Sequence, residues 1–211
     1  MASNSESKCK LCRRAGEKLF LKGERCSTPK CSMTKRPYPP GVHGNKNRQK
    51  GLSEYGKQLL KKQKVRRIYN ISEGQFRRHL VESGKKKGVA GDNLITRLEL
   101  RLDNVVFRLG VAESRSRAKQ LVQHGHILVN GKKLDVPSAC LKVGDEISIK
   151  ETKKEKKYFS DRKMILDKNI NIPSWVSFDS KKMTGKILSS PVKTETEVSI
   201  DAQEIVEFYS R

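Results

Sequence analysis

The sequence contains no long hydrophobic run, and this absence argues against a membrane-spanning helix. Such a helix needs about 18 or more consecutive apolar residues, and no stretch of the 211 residues approaches that length. The first residues, MASNSESK, lack the apolar stretch of a secretory signal. No continuous basic amphipathic helix with large exposed apolar residues stands out either. We therefore expect no membrane partner.

The residue patterns that carry catalysis are also missing. The chain has no recognisable pair of acids, no nucleophile with its base and no glycine-rich phosphate loop. We therefore predict that the protein is not an enzyme and has no small-molecule substrate.

Acidic residues are scarce, with 23 Asp and Glu against 46 Lys and Arg, so the net charge is +23. A polyanion such as nucleic acid is the partner that this excess favours. The excess is greatest at the front, because residues 1–70 hold 19 Lys and Arg and only four acids. From Pro191 onward five acids outnumber two basic residues, which predicts that the C-terminus packs on protein.

Four of the five cysteines lie near the front, as Cys9, Cys12, Cys26 and Cys31. Two close pairs separated by a loop suit one tetrahedral zinc ion, and four thiolates would leave no open position for catalysis. We predict one structural zinc per chain, with two disulfides or four free thiols as the alternatives. Cys140 stands apart and is predicted to be a small buried thiol.

Residues 35–51 are rich in proline, glycine and basic residues, which predicts an extended segment lying on nucleic acid. The alternative is a disordered basic tail. Ser53 is a candidate cap for a basic helix that runs to about residue 69. The candidate contacts of this front region are Arg36, His43, Lys46, Arg48, Lys50, Lys57, Lys61, Lys64, Arg66 and Arg67.

Two further helices are predicted before the middle of the chain. Ser72 to Gln75 matches a capping box at the start of the first, which should end near Gly84. Asp92 is a candidate cap for the second. A helical front domain should therefore extend to about residue 97.

The centre of the chain predicts two short helices followed by a hairpin. Asp103 and Ser114 are the candidate caps, and Gly110 and Gly125 the candidate stops. In the second helix Arg115, Lys119 and Gln123 recur at a spacing of four, which predicts an exposed face. Asn130-Gly131 indicates a type I′ turn after the run Ile127-Leu128-Val129.

Beyond the hairpin the pattern predicts less structure. Residues 146–150 alternate at period two and should form a strand with one buried face. The basic residues 151–163 are expected to be helical or surface-bound. Trp175 is expected in the core, with stacking on a base as the alternative.

The stretch RLDNVVFRLGVAESRSRAKQLVQHGHILVNGKK resembles the small RNA-binding module named after ribosomal protein S four. The resemblance implies that two helices and a turn present polar side chains to folded RNA. The implied contacts are Arg115, Arg117, Lys119, Gln120, His124, His126, Asn130 and Lys132. The alternatives are a solvated polar face and, for the two histidines, a backbone-bonded structural role.

Three further strings, RPYPPGVHG, SEYGKQLLKKQKVRRIY and IVEFYSR, resemble the same ribosomal family in its zinc-binding form. The resemblance covers most of residues 9–211 and predicts an α+β protein. A mostly helical N-terminal domain with a zinc knuckle should occupy residues 1–97. The α+β module should occupy 98–195, with its core at about 99–160, and residues from about 196 to 211 are expected to pack back on the first domain.

By this resemblance the protein is a cytoplasmic, ribosome-bound constituent of the small subunit, with bacterial and organellar origins both open. It implies direct binding of 16S rRNA, nucleation of the 5′ domain and an influence on decoding accuracy. The implied neighbours are protein S five and mRNA on its path into the subunit. The alternatives are a free assembly or rescue factor and a non-catalytic part of an RNA-modifying enzyme, whose usual catalytic domain has no counterpart here.

Overall fold

The computed structural model describes residues 7–45, 53–166, 172–192 and 202–210. Two compact units divide the chain. The front unit comprises Met1–Leu94 together with Ser199–Arg211, and the rear unit comprises Ile95–Val198.

The regular elements among the described residues of the front unit are all helices or helical turns. Its helices are α1 (Lys8–Ala15), a 3-10 turn (Gly23–Cys26), α2 (Ser32–Lys35), α3 (Glu54–Ile68), α4 (Glu73–Gly84), the start of α5 (Ala90–Glu99) and the C-terminal helix, numbered α10 (Ala202–Ser210). The predicted starts of α3 and α4 are confirmed. Ser53 Oγ accepts from the Gly56 amide at 3.2 Å, and Ser72 and Gln75 form a complete capping box.

Helix α3 lies at the middle of the front unit, because α1 and α10 both pack against it. Its buried residues Val65 and Ile68 are 1% and 2% exposed. On α4, Phe76 is fully buried, and on α10, Ile205 is buried. The acidic C-terminal helix therefore packs on protein, as its charge predicts.

The rear unit combines helices with one antiparallel sheet. After α5 come α6 (Leu102–Arg108), α7 (Arg115–Gln123), β1 (Ile127–Val129), β2 (Lys132–Lys133), β3 (Glu146–Ile149), α8 (Glu151–Lys154), α9 (Lys157–Leu166), β4 (Val176–Asp179) and β5 (Thr184–Ile187). The strand order is β2-β1-β3-β5-β4. This architecture, with the helical front, is α+β.

Local signals set the turns of the rear unit as predicted. Asn130 and Gly131 have φ of 50° and 76°, the two left-handed residues of a type I′ turn. Gly110 and Gly125, at φ 74° and 66°, end their helices in the left-handed conformation. Ser114 caps α7 by accepting from the Arg117 amide at 3.3 Å.

Helices α6 and α7 pack on the sheet to form the rear core. Val105, Val106 and Ala118 are fully buried there. Trp175 is 2% exposed, which confirms its predicted place in the core. A Cβ on Gly185 would lie 2.7 Å from the methyl groups of Leu109, so this glycine lets α6 approach β5 closely.

Three predictions about single residues are wrong. Arg101, not Asp103, is the N-cap of α6, since the buried Asp103 carboxylate is taken by Arg101 at 2.7 Å. Helix α5 begins at Ala90, so Asp92 lies within its first turn and is not its cap. Cys140 is exposed, although its backbone forms an isolated β-bridge with the buried Arg101.

Candidate nucleic-acid interface and cysteine cluster

The basic helix α3 is largely neutralised by carboxylates of its own unit. Lys62 and Arg66 both bind Glu73, at 2.8 and 3.1 Å. Lys64 binds Glu17 at 2.8 Å, and Lys61 binds Glu204 of α10. Much of the positive charge that the sequence offers here therefore holds the front unit together.

The other predicted contacts of the front unit differ in exposure. Lys57 is exposed and pairs with Glu54 at 3.2 Å. Arg67 is buried, and its guanidinium donates to Gln63 at 2.6 Å. Arg36 and His43 are exposed on the segment after α2. Lys46, Arg48 and Lys50 lie outside the described residues.

Arg115, which the spacing assigns to an exposed face, is buried. Its Nε donates to Asn104 Oδ1 at 2.7 Å, and its guanidinium lies 4.5 Å above the Phe107 ring. Asn104 in turn donates to Glu99 Oε2 at 2.7 Å, and Arg108 binds Glu99 at 2.8 Å. This buried network attaches the first turn of α7 to α6.

The exposed part of α7 carries Arg117, Lys119 and Gln120. Arg117 donates to Gln120 Oε1 at 2.7 Å and lies 4.6 Å above the Tyr158 ring. The Tyr158 hydroxyl is itself bonded to the Val111 carbonyl at 3.3 Å. The ring holds the Arg117 guanidinium in one orientation, which lowers the entropy lost when that guanidinium binds a partner.

The two predicted histidines lie beside this face, with ring centroids 5.9 Å apart. His124 is exposed, whereas His126 packs edge-on against Phe159 at 6.0 Å. The pKa of His126 is lowered, first by burial and then by the charges of Lys156, His124, Lys153 and Arg117. Several cations therefore converge around one imidazole, as expected where a polyanion binds.

Lys153, Lys156 and Tyr158 are members of this face that the sequence candidates do not include. They come from α8, α9 and the turn between them, about 30 residues after α7. In the sequence, the basic run 151–163 was the feature that could have indicated these residues. Only the fold shows that this run lies beside His126.

The hairpin turn is built by side chains that serve the fold. Asn130 Nδ2 donates to Asp145 at 2.9 Å, and its Oδ1 accepts from the Glu146 amide at 2.9 Å. Lys132 is exposed beside it. Asn130 therefore shapes the turn, and Lys132 is the side chain that the turn presents.

The four front cysteines line a single cavity of about 20 Å³, together with Leu21 and Arg25. All five cysteines of the chain are free thiols. Burial raises the pKa of Cys12; a hydrogen bond with the Leu19 backbone opposes this, and the sulfurs of Cys26, Cys9 and Cys31 raise it further. Among the described residues, no group of three or more His, Cys, Asp or Glu side chains is arranged to hold a metal ion.

Two family models match adjoining parts of the chain. Residues 3–99 match the ribosomal protein S4/S9 N-terminal domain, and residues 100–147 match the S4 domain. A small ribosomal subunit protein uS4 from Syntrophomonas wolfei is 49% identical over 211 residues, which is 100% of both chains. The chain belongs to the uS4 family.

Two further uS4 relatives are similar over almost their whole length. The protein from Acetivibrio thermocellus is 49% identical over 215 residues, covering 100% of each chain. The protein from Thermus thermophilus is 49% identical over 203 residues, covering 96% of each. In the part of the chain that the structure describes, no helix is long and apolar enough to cross a membrane.

Proposed function

We propose that this protein is a structural constituent of the small ribosomal subunit that binds rRNA directly in the cytoplasm. The observation that carries the proposal is the full-length match to relatives named small ribosomal subunit protein uS4. The net charge of +23 and the convergence of cations around His126 supply the electrostatics that RNA binding requires. Its role is structural, with no reaction assigned to it.

In the proposed complex, the exposed side chains of α7 and the hairpin turn contact folded RNA. Arg117 is oriented by Tyr158, and Lys119, Gln120, His124 and Lys132 are exposed or half-exposed around it. Lys153 and Lys156 extend the same surface. Mixed polar and cationic side chains on a rigid support suit a folded RNA, which is recognised through shape and phosphates.

The finer role follows from the family resemblance. We propose binding to the 5′ domain of 16S rRNA early in assembly, contact with protein S five, proximity to the path of incoming mRNA and an influence on decoding. The segment 35–51, which carries His43, Lys46, Arg48 and Lys50, is proposed to lie on rRNA.

Sedimentation with ribosomal particles tests the proposal against its alternatives. We expect the protein to remain with the small subunit after a high-salt wash, because shape and hydrogen-bond contacts to folded RNA persist where salt weakens the phosphate contacts. Release into the wash, with binding only to immature particles, would instead identify a free assembly factor. Absence from both would exclude the ribosomal role.

We further propose that Cys9, Cys12, Cys26 and Cys31 hold one structural zinc ion. The support for this proposal is the donor type and not a preformed tetrahedral arrangement: all four ligands would be thiolates, and they line one cavity about the size of a single ion or water molecule. Lys8, Lys22 and Arg25 line the same cavity and would offset the charge of four thiolates. Bound zinc would supply a cross-link for a region that has few buried apolar side chains.

Elemental analysis tests the zinc proposal. We expect one zinc per chain, and its loss in the double variant Cys9→Ser/Cys12→Ser. Chelation should unfold the first ~35 residues, since structural zinc contributes about 10–16 kcal/mol of apparent binding free energy. The matched control is Cys140→Ser, an exposed thiol outside the cluster. Less than half an equivalent in protein purified without chelator would contradict the proposal.

A further inference from the structure

The outer face of α4 carries a group of cations that the candidate contacts do not include. Gly74, Arg77, Arg78, Val81, Glu82 and Lys85 line one shallow, open groove. Helical spacing puts these residues on the side opposite Phe76, His79 and Ser83, which are buried. The groove therefore faces outward from the front unit. We call Arg77, Arg78, Lys85, Lys86 and Lys87 the α4 patch.

The cations of the α4 patch are exposed and uncompensated. Within the described residues, none of their five side chains forms an ion pair or a hydrogen bond. On α3 the situation is the reverse, because Lys61, Lys62, Lys64 and Arg66 all bind carboxylates. The acid in the groove, Glu82, already has a partner of its own. Exposed cations of the described front unit without a carboxylate partner also surround the cysteines, as at Arg14, Lys18 and Lys30. The α4 patch differs in that its five cations lie together on one face of a helix and the turn that follows it.

We propose that the α4 patch binds the phosphate backbone of rRNA, an inference that rests on the proposed function. Arg77 and Lys85 are separated by eight residues, or about 12 Å along a helix axis, enough to contact successive phosphates. Each contact would release counterions and so add to affinity. An acidic protein partner is disfavoured, because protein interfaces centre on buried apolar or aromatic residues and the groove offers only Val81.

The density of basic residues along the sequence predicts that α3, and not α4, is the RNA-binding helix. Helix α3 has a continuous basic run, whereas α4 mixes Arg77 and Arg78 with Glu73 and Glu82. The fold reverses this ranking because Glu73 binds Lys62 and Arg66 of α3 and accepts from Tyr209, and it forms no ion pair with Arg77 or Arg78. Among the residues that the structure describes, the cations of the α4 patch are therefore unpaired, whereas the denser basic run on α3 is paired with carboxylates.

The double variant Arg77→Gln/Arg78→Gln tests the proposal in the full-length protein. We expect weaker binding to a 16S rRNA transcript and a salt dependence of log Kd shallower by about 1.5 units, for two lost phosphate contacts. The matched control is Lys181→Gln/Lys182→Gln, which removes two neighbouring exposed cations from the β4–β5 turn. The control should keep the wild-type slope, and both variants should keep the wild-type melting temperature.

A second variant tests the proposal by adding a negative charge to the groove without disturbing the fold. A Cβ at Gly74 would meet nothing within 4 Å, and a carboxylate in the first turn of a helix stabilises that helix. We therefore expect Gly74→Glu to raise the melting temperature and to lower rRNA affinity at least 3-fold relative to Gly74→Ala. A structural defect would lower both the melting temperature and the rRNA affinity. It could not raise the first while lowering the second.

Three outcomes would overturn the proposal. Equal salt slopes for the α4 variant and wild type would show that the patch is not on RNA. Wild-type rRNA binding by variants that drop out of assembled subunits would assign the patch to a protein neighbour. Equal losses of rRNA affinity in the α4 variant and in the Lys181/Lys182 control would show that only the net charge of the protein matters. Failure of the wild-type protein to bind the transcript would instead refute the proposed function itself.

Discussion

Several polar side chains near the start of the rear unit are buried and pair with one another. Arg101 and Asp103 form a buried ion pair at 2.7 Å, and Glu99 and Arg108 form another at 2.8 Å. Asn104 connects the second pair to Arg115. Removing one member of such a network leaves its partner buried and uncompensated, which costs more than the bond itself contributes.

Arg115→Ala should therefore destabilise the fold. The substitution removes the donor to Asn104 Oδ1 and the stacking on Phe107, and we expect a loss of about 1–3 kcal/mol in the free energy of unfolding. Thermal or urea unfolding measures it. Lys119→Ala, from the exposed side of the same helix, should leave stability unchanged and weaken rRNA binding. An Arg115→Ala variant with wild-type stability and weakened rRNA binding would assign Arg115 to the interface.

Glu73 should make stability depend on acid pH. Burial acts to raise its pKa, but hydrogen bonds from Lys62 and Tyr209 and the charges of Lys62 and Arg66 outweigh burial and lower the pKa below its ordinary 4.5. A carboxyl with a lowered folded-state pKa stabilises the fold above the ordinary value. That stabilisation is lost as pH falls through the lower folded value.

The measurement is urea unfolding of wild type and Glu73→Gln between pH 7 and pH 3. We expect Glu73→Gln to be less stable at pH 7 and the two curves to converge below pH 4.5. Glu54→Gln, which removes an exposed pair with Lys57, is the control and should follow wild type. A constant difference between Glu73→Gln and wild type at every pH would contradict the assignment.

At the scale of elements, α10 completes the front unit. Phe208 of α10 packs on Tyr55 of α3 with ring centroids 5.4 Å apart, and Tyr209 donates to Glu73. The start of α10 also lies against α5, where a Cβ on Gly91 would be 3.0 Å from the backbone and the Cβ of Ala202. A small residue at Gly91 is therefore a condition of this contact.

Gly91→Val should displace α10 and destabilise the front unit by about 1–3 kcal/mol, the usual cost of overpacking. The displaced helix α10 is acidic and is not expected to contact phosphates. The salt slope of rRNA binding should therefore stay the same while the melting temperature falls. Gly84→Val is the matched control, since a Cβ at Gly84 meets nothing within 4 Å. Equal melting temperatures for the two variants would mean that α10 does not depend on close approach at Gly91.

At the scale of the whole molecule, the rear unit has an apolar core made of its own residues. The rear core runs from Leu102 to Ile187 and includes Trp175, the one tryptophan of the chain. Tryptophan fluorescence therefore reports on the rear unit alone. The four cysteines and α10 belong to the front unit.

A fragment of residues 95–198 should fold by itself, because its core is contained within it. We expect a cooperative melt and the same Trp175 emission as in the full-length protein. Phe159→Ala in the same fragment is the control, since it removes a buried ring and should lower the melting temperature. A broad transition with solvent-exposed tryptophan emission would show that the rear unit depends on the front.

The predictions from sequence were best where the interaction is local. The Ser53, Ser72 and Ser114 caps and the Asn130-Gly131 turn all involve residues within about four positions of one another, and the structure confirms each. The caps at Asp92 and Asp103 were wrong. For Asp103, the reason is that Arg101 binds its carboxylate. Both side chains are buried, so the ion pair is favoured over capping of the helix.

Residue type and short spacing were enough to predict α3 to α7, the hairpin and the excess of positive charge, and the resemblance of several separate motifs supplied the family. Which of the positive charges are free became clear only from the packed helices. Glu73, Glu17 and Glu204 neutralise α3 from 7 to 143 residues away, Asn104 and Phe107 hold Arg115 inside, and Arg77 and Arg78 remain uncompensated. An ion pair depends on distance in space, and chain spacing does not encode that distance once helices pack.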